Sequence, residues 1–345
     1  RISFVMSFLG IDVGSVSVKA AWVDENSNLV NTTYRRHYGK PLEAAVQLLK
    51  DELSAHPDLS NISFTGSGGR KLADALGRNF ENEIICQARA ARLITPEANT
   101  LVCIGGEDSY FILLDDASKG GTQIRDFAMN GICAAGCGGF LDQQASRLGV
   151  DIENEFGELA VESTRPSRVA GRCSVFAKTD MIHLQQKATP VRDIVAGLCF
   201  AFARNFVAVL ARGKEFKAPV AFQGGVALNA GMIRAFKEVL GLNDSEFIAS
   251  EYAPVSGAIG AALIAASKGA IKEVISSDQI DAILDDSQDW ASHIPLPDPG
   301  APPASTVFEI PDGKKVDVFL GVDVGSISTN VVVMDSDKQV VFKSY

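Results

Sequence analysis

The sequence is short of positive charge and of long apolar stretches. It has 32 Lys and Arg residues against 42 Asp and Glu, which gives a formal net charge of −10. An acidic chain of this kind argues against nucleic acid or an anionic membrane as the main partner. No apolar run reaches the roughly 18 residues that a membrane span needs. The longest, from Ile194 to Phe202, ends just before Arg204, so we predict no membrane segment.

A convincing secretory signal is also lacking, because the apolar stretch near the N-terminus runs straight into a turn at Asp12. We therefore expect a cytoplasmic protein. In that compartment its six cysteines are more often metal ligands, reactive thiols or small apolar fillers than disulfides. With 345 residues, 46% of them apolar, the chain can bury a large core and is expected to divide into two domains.

One segment of the chain occurs twice. Residues 8–17 read FLGIDVGSVS, and residues 319–328 read FLGVDVGSIS. Each copy predicts an apolar strand, a tight Gly/Ser turn and a second apolar strand. Backbone N–H groups and hydroxyls in such a turn can hold phosphate oxygens, and glycine lets the backbone approach closely. The Asp at the strand end can hold Mg²⁺ through water.

Two further glycine turns follow predicted strands. GGED at 105–108 comes after the strand 101–104, and GGVALN at 224–229 comes after the strand 218–222. We expect the turns at residues 12–15 and 105–108 to face each other across a cleft and hold the β- and γ-phosphates with Mg²⁺. The third turn would lie against the adenosine and use a helix N-terminus. Any one turn alone is equally well a tight bend, but three in this order favour a nucleotide site.

The coarse pattern predicts alternating strands and helices. Residues 8–95 read as strand, strand, strand, helix, strand, helix, and a strand–turn–strand unit follows from Thr100. Later helices are expected at about 138–148, 174–187, 191–212, 229–240 and 256–268. We predict a first lobe at 7–97, a second lobe at 98–270, a Pro-rich linker at 271–315, and the start of a second, truncated module at 316–345.

The order of turns resembles the actin, sugar-kinase and Hsp70 ATPase superfamily. Within it, the sequence resembles more closely the activators of 2-hydroxyacyl-CoA dehydratases and of ATP-dependent benzoyl-CoA reductases. This resemblance covers roughly residues 7–268, and the cysteine segments are its specific part. It implies an α/β fold with two ribonuclease-H-like lobes around a nucleotide cleft. The segments that carry it are LGIDVGS at 9–15, NGICAAGCGGFLD at 130–142, CSVFA at 173–177, GGVALN at 224–229 and GAIGAA at 257–262.

The resemblance also implies an activity, its cofactors and its partners. The chain would be an ATP-dependent one-electron donor that binds ATP or ADP, Mg²⁺ and a [4Fe–4S] cluster shared between two modules. It would form a homodimer, or a pseudo-dimer with a second module of the same polypeptide, as in longer activases. An iron–sulfur acyl-CoA dehydratase or reductase would receive the electron, and reduced ferredoxin or flavodoxin would supply it. Nucleic acid and membranes are not expected partners.

By the resemblance, Cys133 and Cys173 ligate the iron. Both precede predicted helices, and thiolates at helix N-termini have a lowered pKa, which suits metal binding. A [4Fe–4S] cluster takes four thiolates, so two facing modules would supply them on a two-fold axis. For Cys137 three roles are left open: an extra iron ligand, an alternative ligand, or no part in the iron site. Cys86, Cys103 and Cys199 are expected to be small buried thiols.

The predicted site residues fall into three groups. The candidate catalytic residues are Asp12, Glu107 and Asp108, and the candidate metal ligands are Cys133 and Cys173. The candidate nucleotide-binding residues are Asp12, Gly14, Ser15, Ser17, Lys19, Gly105, Gly106, Gly136, Gly138, Gly224, Gly225 and Asn229.

Some positions depart from the family pattern. Cys103 stands where the family usually has Asp, and Glu107 where it usually has Gln, so efficient hydrolysis is in doubt. A run at 66–70, GSGGR, replaces Gly-Tyr-Gly-Arg, and the second copy has Asn330 where the first has Lys19. A small-molecule kinase is the alternative function, with Asp108 or Asp142 as the general base, but it gives the cysteines no role. A second alternative function is a nucleotide sensor that binds nucleotide without hydrolysing it.

Overall fold

The computed structural model of the chain describes residues 7–115, 123–130, 136–171, 173–269, 273–285, 310–311, 313–324 and 329–344. Two compact units divide it, one at residues 1–288 and one at residues 289–345. Each unit is described by itself.

The first unit begins with a five-stranded mixed sheet, ordered β3-β2-β1-β4-β5. Its central strand, β1, runs antiparallel to β2 and parallel to β4. Six of its seven residues are buried, Asp12 among them, as is typical of a central strand covered on both faces by helices. The strands are β1 (Ser7–Val13), β2 (Ser17–Asp24), β3 (Leu29–Arg36), β4 (Ile62–Thr65) and β5 (Asn79–Phe80).

A second five-stranded sheet repeats this topology. Its order is β10-β9-β6-β7-β8, so β6 takes the place that β1 has in the first sheet. Accordingly, β6 is antiparallel to β7 and parallel to β9. The predicted α/β fold with two similar lobes is confirmed. The strands are β6 (Thr100–Ile104), β7 (Ser109–Leu114), β8 (Ile124–Met129), β9 (Val220–Gln223) and β10 (Phe247–Ala249).

Helices cover both sheets, and the predicted long ones are present. In the described chain, one helical stretch, 191–210, is long and apolar enough to cross a membrane, but 56% of it is buried. It lies in the core of the second lobe, where Phe202 and Phe206 are almost fully buried. The helices are α1 (Pro41–Ala55), α2 (Gly69–Ala75), α3 (Glu83–Ile94), α4 (Gly138–Leu148), α5 (Phe156–Glu162), α6 (Ser174–Gln186), α7 (Val191–Asn205, with a π-helical turn at Phe206–Leu210), α8 (Ala230–Leu240), α9 (Ser256–Lys268) and α10 (Ser277–Asp285).

Helix α9 lies in the first lobe, although its position in the chain placed it in the predicted second lobe at 98–270. It packs between β1 and α3 at very short range. A Cβ added to Gly10 of β1 would come within 2.0 Å of the Ala258 carbonyl oxygen, and one added to Gly260 within 2.0 Å of the Cys86 carbonyl oxygen. The Gly and Ala residues of α9 therefore allow a helix to fit where larger side chains would clash.

Helix α10 lies within the segment predicted as a linker, 271–315. Its Ile280 and Ile283 are buried in the core of the first lobe. Just before the helix, the Ile275 N–H donates to the Leu59 carbonyl at 3.0 Å. Residues 273–285 thus belong to the first unit, while the proline cluster of the predicted linker lies outside the described residues.

The second unit contains a three-stranded antiparallel sheet, ordered β11-β12-β13. Its strands are β11 (Val318–Val324), β12 (Thr329–Asp335) and β13 (Val340–Ser344). The register of β11 on β12 repeats that of β1 on β2, since Asp323 pairs with Asn330 as Asp12 pairs with Lys19. The turn between them, 325–328, lies outside the described residues.

Candidate functional site

A cavity of about 740 Å³ lies between the two lobes of the first unit. All three predicted glycine turns contribute residues to its wall, as expected for a cleft between duplicated sheets. Of the predicted catalytic and nucleotide-binding residues, Asp12, Gly136 and Gly224 do not line it. Those that line it are Gly14, Ser15, Ser17, Lys19, Gly105, Gly106, Glu107, Asp108, Gly138, Gly225 and Asn229.

The first turn rests on a buried ion pair. The Lys19 ammonium lies 3.0 Å from the Asp12 carboxylate, and their side chains are only 12% and 5% exposed. Burial alone would lower the pKa of Lys19, but the charges of Asp12 and Glu83 leave it above its ordinary value. Lys19 therefore presents a permanent positive charge to the cavity, which suits an anionic ligand.

The first and second turns lie against each other. A Cβ added to Gly106 would come within 2.3 Å of a Val16 methyl and 2.7 Å of the Ser15 hydroxyl. The second turn is closed by the Gly105 N–H, which donates to the Asp108 carbonyl at 2.8 Å. Two N–H-rich turns thus face one another, as the sequence predicts for a site that holds neighbouring phosphates.

The third turn joins β9 to α8. Gly224 has φ +89°, and a Cβ there would meet the Ile104 carbonyl oxygen at 2.3 Å, so only glycine fits. Asn229 lines the cavity, but its side chain caps α8 by accepting the Met232 N–H at 3.1 Å. The α8 N-terminus therefore faces the cleft, as predicted for the nucleoside end of the site.

Helix α4 is tied directly to the second turn. Its first N–H groups, from Gly138 and Gly139, donate to the Gly105 and Gly106 carbonyls at 2.8 Å each. The residue before the helix is Cys137. A movement of the second turn would therefore carry the start of α4 with it, together with the cysteine segment that leads into the helix.

Glu83, the first residue of α3, is a cavity residue that sequence reasoning missed. Burial raises its pKa to about 7, and the negative charge of Asp12 adds to the effect. The Tyr110 hydroxyl donates to the Glu83 carboxylate at 3.2 Å. Asn82 caps α3 and could have marked the helix start, but nothing local to the sequence indicates that the helix begins at the cleft.

Arg36 is a second missed residue, and it bridges the lobes. From the end of β3 it reaches Asp142 of α4 and Glu153 of the following loop, each at 2.8 Å. Asp142, one of the two general-base candidates for a kinase, is therefore held in an ion pair. Asp142 belongs to the segment 130–142 that carries the family resemblance, but nothing in the sequence indicates its pairing with Arg36, because the pair forms only when the two lobes are assembled.

The two remaining catalytic candidates lie side by side at the cavity. Glu107 is exposed and Asp108 is half-buried. Burial raises the pKa of Asp108, and the charge of Glu107 adds to it. Glu83, Glu107 and Asp108 line the same cavity as Lys19. Carboxylates in such a place can orient a water molecule beside a bound phosphate.

Cys173, the candidate iron ligand that the structure describes, does not line this cavity. Cys173 is half-buried just before α6, and Val175 and Phe176 in the first turn of that helix are 65% and 66% exposed. Cys133 lies outside the described residues. Burial raises the pKa of Cys137, which disfavours the thiolate that a metal needs. Among the described residues, no three His, Cys, Asp or Glu side chains group as a metal site.

The other cysteines are buried, as predicted. Burial raises the pKa of Cys86 and of Cys199 to about 12, and that of Cys103 well above its usual range. The Cys103 thiol lies 3.5 Å from the Gln223 side-chain oxygen, behind the cavity wall. No carboxylate therefore stands at position 103 beside the second turn.

Comparison with known proteins identifies the family. The model of the BadF/BadG/BcrA/BcrD ATPase family matches residues 9–265. This chain belongs to that family. The matched span takes in both lobes, all three glycine turns and both cysteine segments of this BadF/BadG/BcrA/BcrD-type ATPase.

Individual relatives agree with this assignment. The chain is 32% identical to the 2-hydroxyisocaproyl-CoA dehydratase activator of Clostridioides difficile, over 75% of this chain and 95% of the relative. It is also 32% identical to the (R)-2-hydroxyglutaryl-CoA dehydratase activating ATPase of Acidaminococcus fermentans, over 76% and 98%.

A solved structure extends the comparison to the fold. The activator of the 2-hydroxyisocaproyl-CoA dehydratase from Clostridium difficile, with bound ADPNP, matches with a TM-score of 0.67 and 26% identity. The match covers 84% of this chain and 99% of that one. The predicted superfamily fold and the resemblance to dehydratase activators are thereby confirmed.

Proposed function

We propose that this chain is an ATP-driven activator that donates single electrons to an acyl-CoA dehydratase or reductase in the cytoplasm. The observation that supports it most is the pair of bonds from Gly138 and Gly139 to the second turn. They join the second turn to the first residues of α4, directly after Cys137, so a nucleotide-dependent shift of the turn would reach the cysteine segment.

In the proposed cleft, ATP binds with Mg²⁺ between the lobes. The first and second turns donate N–H groups to the phosphates, and Lys19 neutralises part of their charge. Asp12, paired with Lys19, supports the water shell of the magnesium ion. Glu83, Glu107 and Asp108 orient the attacking water. Hydrolysis releases the second turn, and α4 follows because its first two N–H groups are bonded to that turn.

Cys133 and Cys173 would hold half of a [4Fe–4S] cluster, and a second module would supply the other half. Such a cluster takes four thiolates, while this chain offers two at the family's positions. When bound, such a cluster would supply one-electron redox chemistry, with reduced ferredoxin or flavodoxin as the electron source and the partner enzyme as the acceptor. Exposed Val175 and Phe176 beside Cys173 fit a surface that a second module covers.

The test is anaerobic purification followed by iron analysis and an absorbance spectrum near 400 nm. We expect about two iron atoms per module, since four are shared by two. Cys173→Ser and Cys133→Ser should remove the colour, whereas the buried Cys86→Ser is the matched control and should keep it. Four irons in an isolated monomer, or colour that survives Cys173→Ser, would contradict the shared cluster.

A nucleotide sensor without hydrolysis is the second candidate, favoured by one observation. Position 103, just before the second turn, carries a thiol buried against Gln223 where the family usually has Asp. Parallel measurements of ADP affinity and steady-state ATP hydrolysis separate the two functions. Tight ADP binding with no turnover supports the sensor, and turnover that Glu83→Gln reduces supports the ATPase.

A further inference from the structure

His37 lies directly behind the first turn. It follows the end of β3, its side chain is only 7% exposed, and its two ring nitrogens have different backbone partners. Nδ1 lies 3.1 Å from the Gly39 amide nitrogen, and Nε2 lies 3.1 Å from the Gly14 carbonyl oxygen. A backbone N–H can only donate, so Nδ1 is the acceptor and the ring hydrogen is on Nε2. The Nε2–H therefore donates to the Gly14 carbonyl.

This bond fixes the orientation of a peptide unit at the cavity. A trans peptide is planar, and its C=O and N–H groups point in opposite directions. Holding the Gly14 carbonyl towards His37 therefore turns the Ser15 N–H away from His37. Gly14 and Ser15 line the cavity, whereas His37 does not. The Gly14 N–H closes the turn on the Ser17 carbonyl at 3.0 Å, so Ser15 carries the N–H that is aimed at a ligand.

The ring is itself held in place. The His37 N–H donates to the Val16 carbonyl at 3.2 Å, and the His37 carbonyl accepts the Lys40 N–H at 2.9 Å. Tyr38 and Gly39 have φ +48° and +84°, a tight bend that brings the Gly39 amide back to Nδ1. His37 thus holds the first turn at two points, through its ring at Gly14 and through its backbone N–H at Val16.

We propose that His37 is a positioning residue: it holds the Gly14 carbonyl so that the Ser15 N–H faces the phosphates of a bound nucleoside diphosphate or triphosphate. This inference rests on the proposed nucleotide cleft. His37 touches no ligand itself and acts through the backbone of the turn. A rigid, pre-oriented donor costs no rearrangement when the phosphate arrives.

Two substitutions separate this role from general support of the fold. A glutamine amide reaches about as far as Nε2, whereas an asparagine amide reaches only about as far as Nδ1. Titration calorimetry with Mg-ADP on the full chain should show affinity within about twofold of wild type for His37→Gln. His37→Asn should weaken it about five- to tenfold, the effect of losing one hydrogen bond of about 1 kcal/mol. Adenosine, which lacks phosphates, should bind all three proteins equally.

His56→Asn is the matched control, because the His56 ring packs at a tilt against Trp22 elsewhere in the first lobe. It should lower the melting temperature and leave Mg-ADP affinity unchanged. Equal losses for His37→Gln and His37→Asn, or an equal loss of adenosine affinity, would overturn the proposal. Wild type that binds adenosine but not Mg-ADP would overturn it together with the proposed function. A normal Mg-ADP affinity in His37→Asn overturns this inference alone.

A measurement on wild-type protein guards against variants that do not fold. Nitrogen NMR of the His37 ring should show the hydrogen on Nε2, and Mg-ADP should shift the Ser15 amide resonance. A hydrogen on Nδ1 would contradict the proposed bond to Gly14.

Discussion

The chain contains the same hairpin in two settings, and only one of them is buried. In the first unit Phe8 and Leu9 are 4% and 0% exposed, whereas their counterparts Phe319 and Leu320 are 67% and 66% exposed. Register is identical in the two pairs of strands. Local sequence therefore sets the hairpin and its register, while burial comes from the layers around it.

Two neighbouring elements bury the first copy of the hairpin. Strand β4 pairs with one edge of β1 and α9 crosses it at Gly10. In the described part of the second unit, β11 is an edge strand that pairs with β12 alone, and the nearest atom to a Cβ on Gly321 is 3.8 Å away. The polar pairs differ too: the Asp12–Lys19 ion pair is replaced by an exposed Asn330 amide that donates to Asp323 at 3.2 Å.

The largest effect on stability is expected at Gly10, whose equivalent in the second hairpin is Gly321. Gly10→Ala puts a methyl group within 2.0 Å of the α9 backbone, which cannot move aside like a side chain. We expect it to lower the free energy of unfolding of the first unit by about 3 kcal/mol or more. Gly321→Ala is the control and should change stability by less than about 0.5 kcal/mol. Urea unfolding of both variants measures the difference, and equal effects would contradict the packing described for α9.

The second prediction concerns Glu83, which faces the ion pair of the first copy. Its pKa is raised from an ordinary value of 4.5 to about 7, so its ionised form is disfavoured in the folded state. Its favourable contribution is fully present below pH 4.5 and is lost as the pH rises through about 7. Glu83→Gln should therefore be more stable than wild type at pH 8, by about 1–3 kcal/mol, and equal to it near pH 4.5.

Melting curves in nucleotide- and magnesium-free buffer, taken across this range, measure that difference. Glu97→Gln, in an exposed loop before β6, is the control and should show no such pH dependence. A stability difference that stays constant with pH would rule out the raised pKa of Glu83.

The sequence predicted the three glycine turns of this site. Each turn can be recognised from a few consecutive residues, because an apolar strand is followed directly by glycines. Glu83 and Arg36 were missed because they reach the cleft through the arrangement of whole elements. Helix α9 was assigned to the wrong lobe because it follows elements of the second lobe in the chain. In the structure it returns to the first lobe, where its small residues fit against β1 at Gly10.

The third prediction exchanges the polar residues of the two hairpins. Lys19→Asn gives the first copy the amide of the second, and removes a buried positive charge from the cavity wall. We expect Mg-ADP affinity to fall about tenfold, as for the loss of one charge-assisted hydrogen bond. Asn330→Lys is the reciprocal variant and should leave the affinity and the number of bound nucleotides unchanged. A second bound nucleotide in Asn330→Lys would show that the second hairpin lacks only the lysine.

The smallest effect concerns the contact that the first copy's third strand makes with the other lobe. Arg36 joins β3 to Asp142 and Glu153, whose side chains are 30% and 56% exposed, so the pairs contribute at most about 1 kcal/mol. Arg36→Ala should speed release of a fluorescent ADP analogue about two- to fivefold at low salt, because the lobes separate more readily, and the difference should vanish near 1 M salt. Arg35→Ala is the matched control, since Arg35 pairs with Asp51 within the first lobe. Equal release rates for the two variants would show that the bridge between the lobes does not limit nucleotide exit.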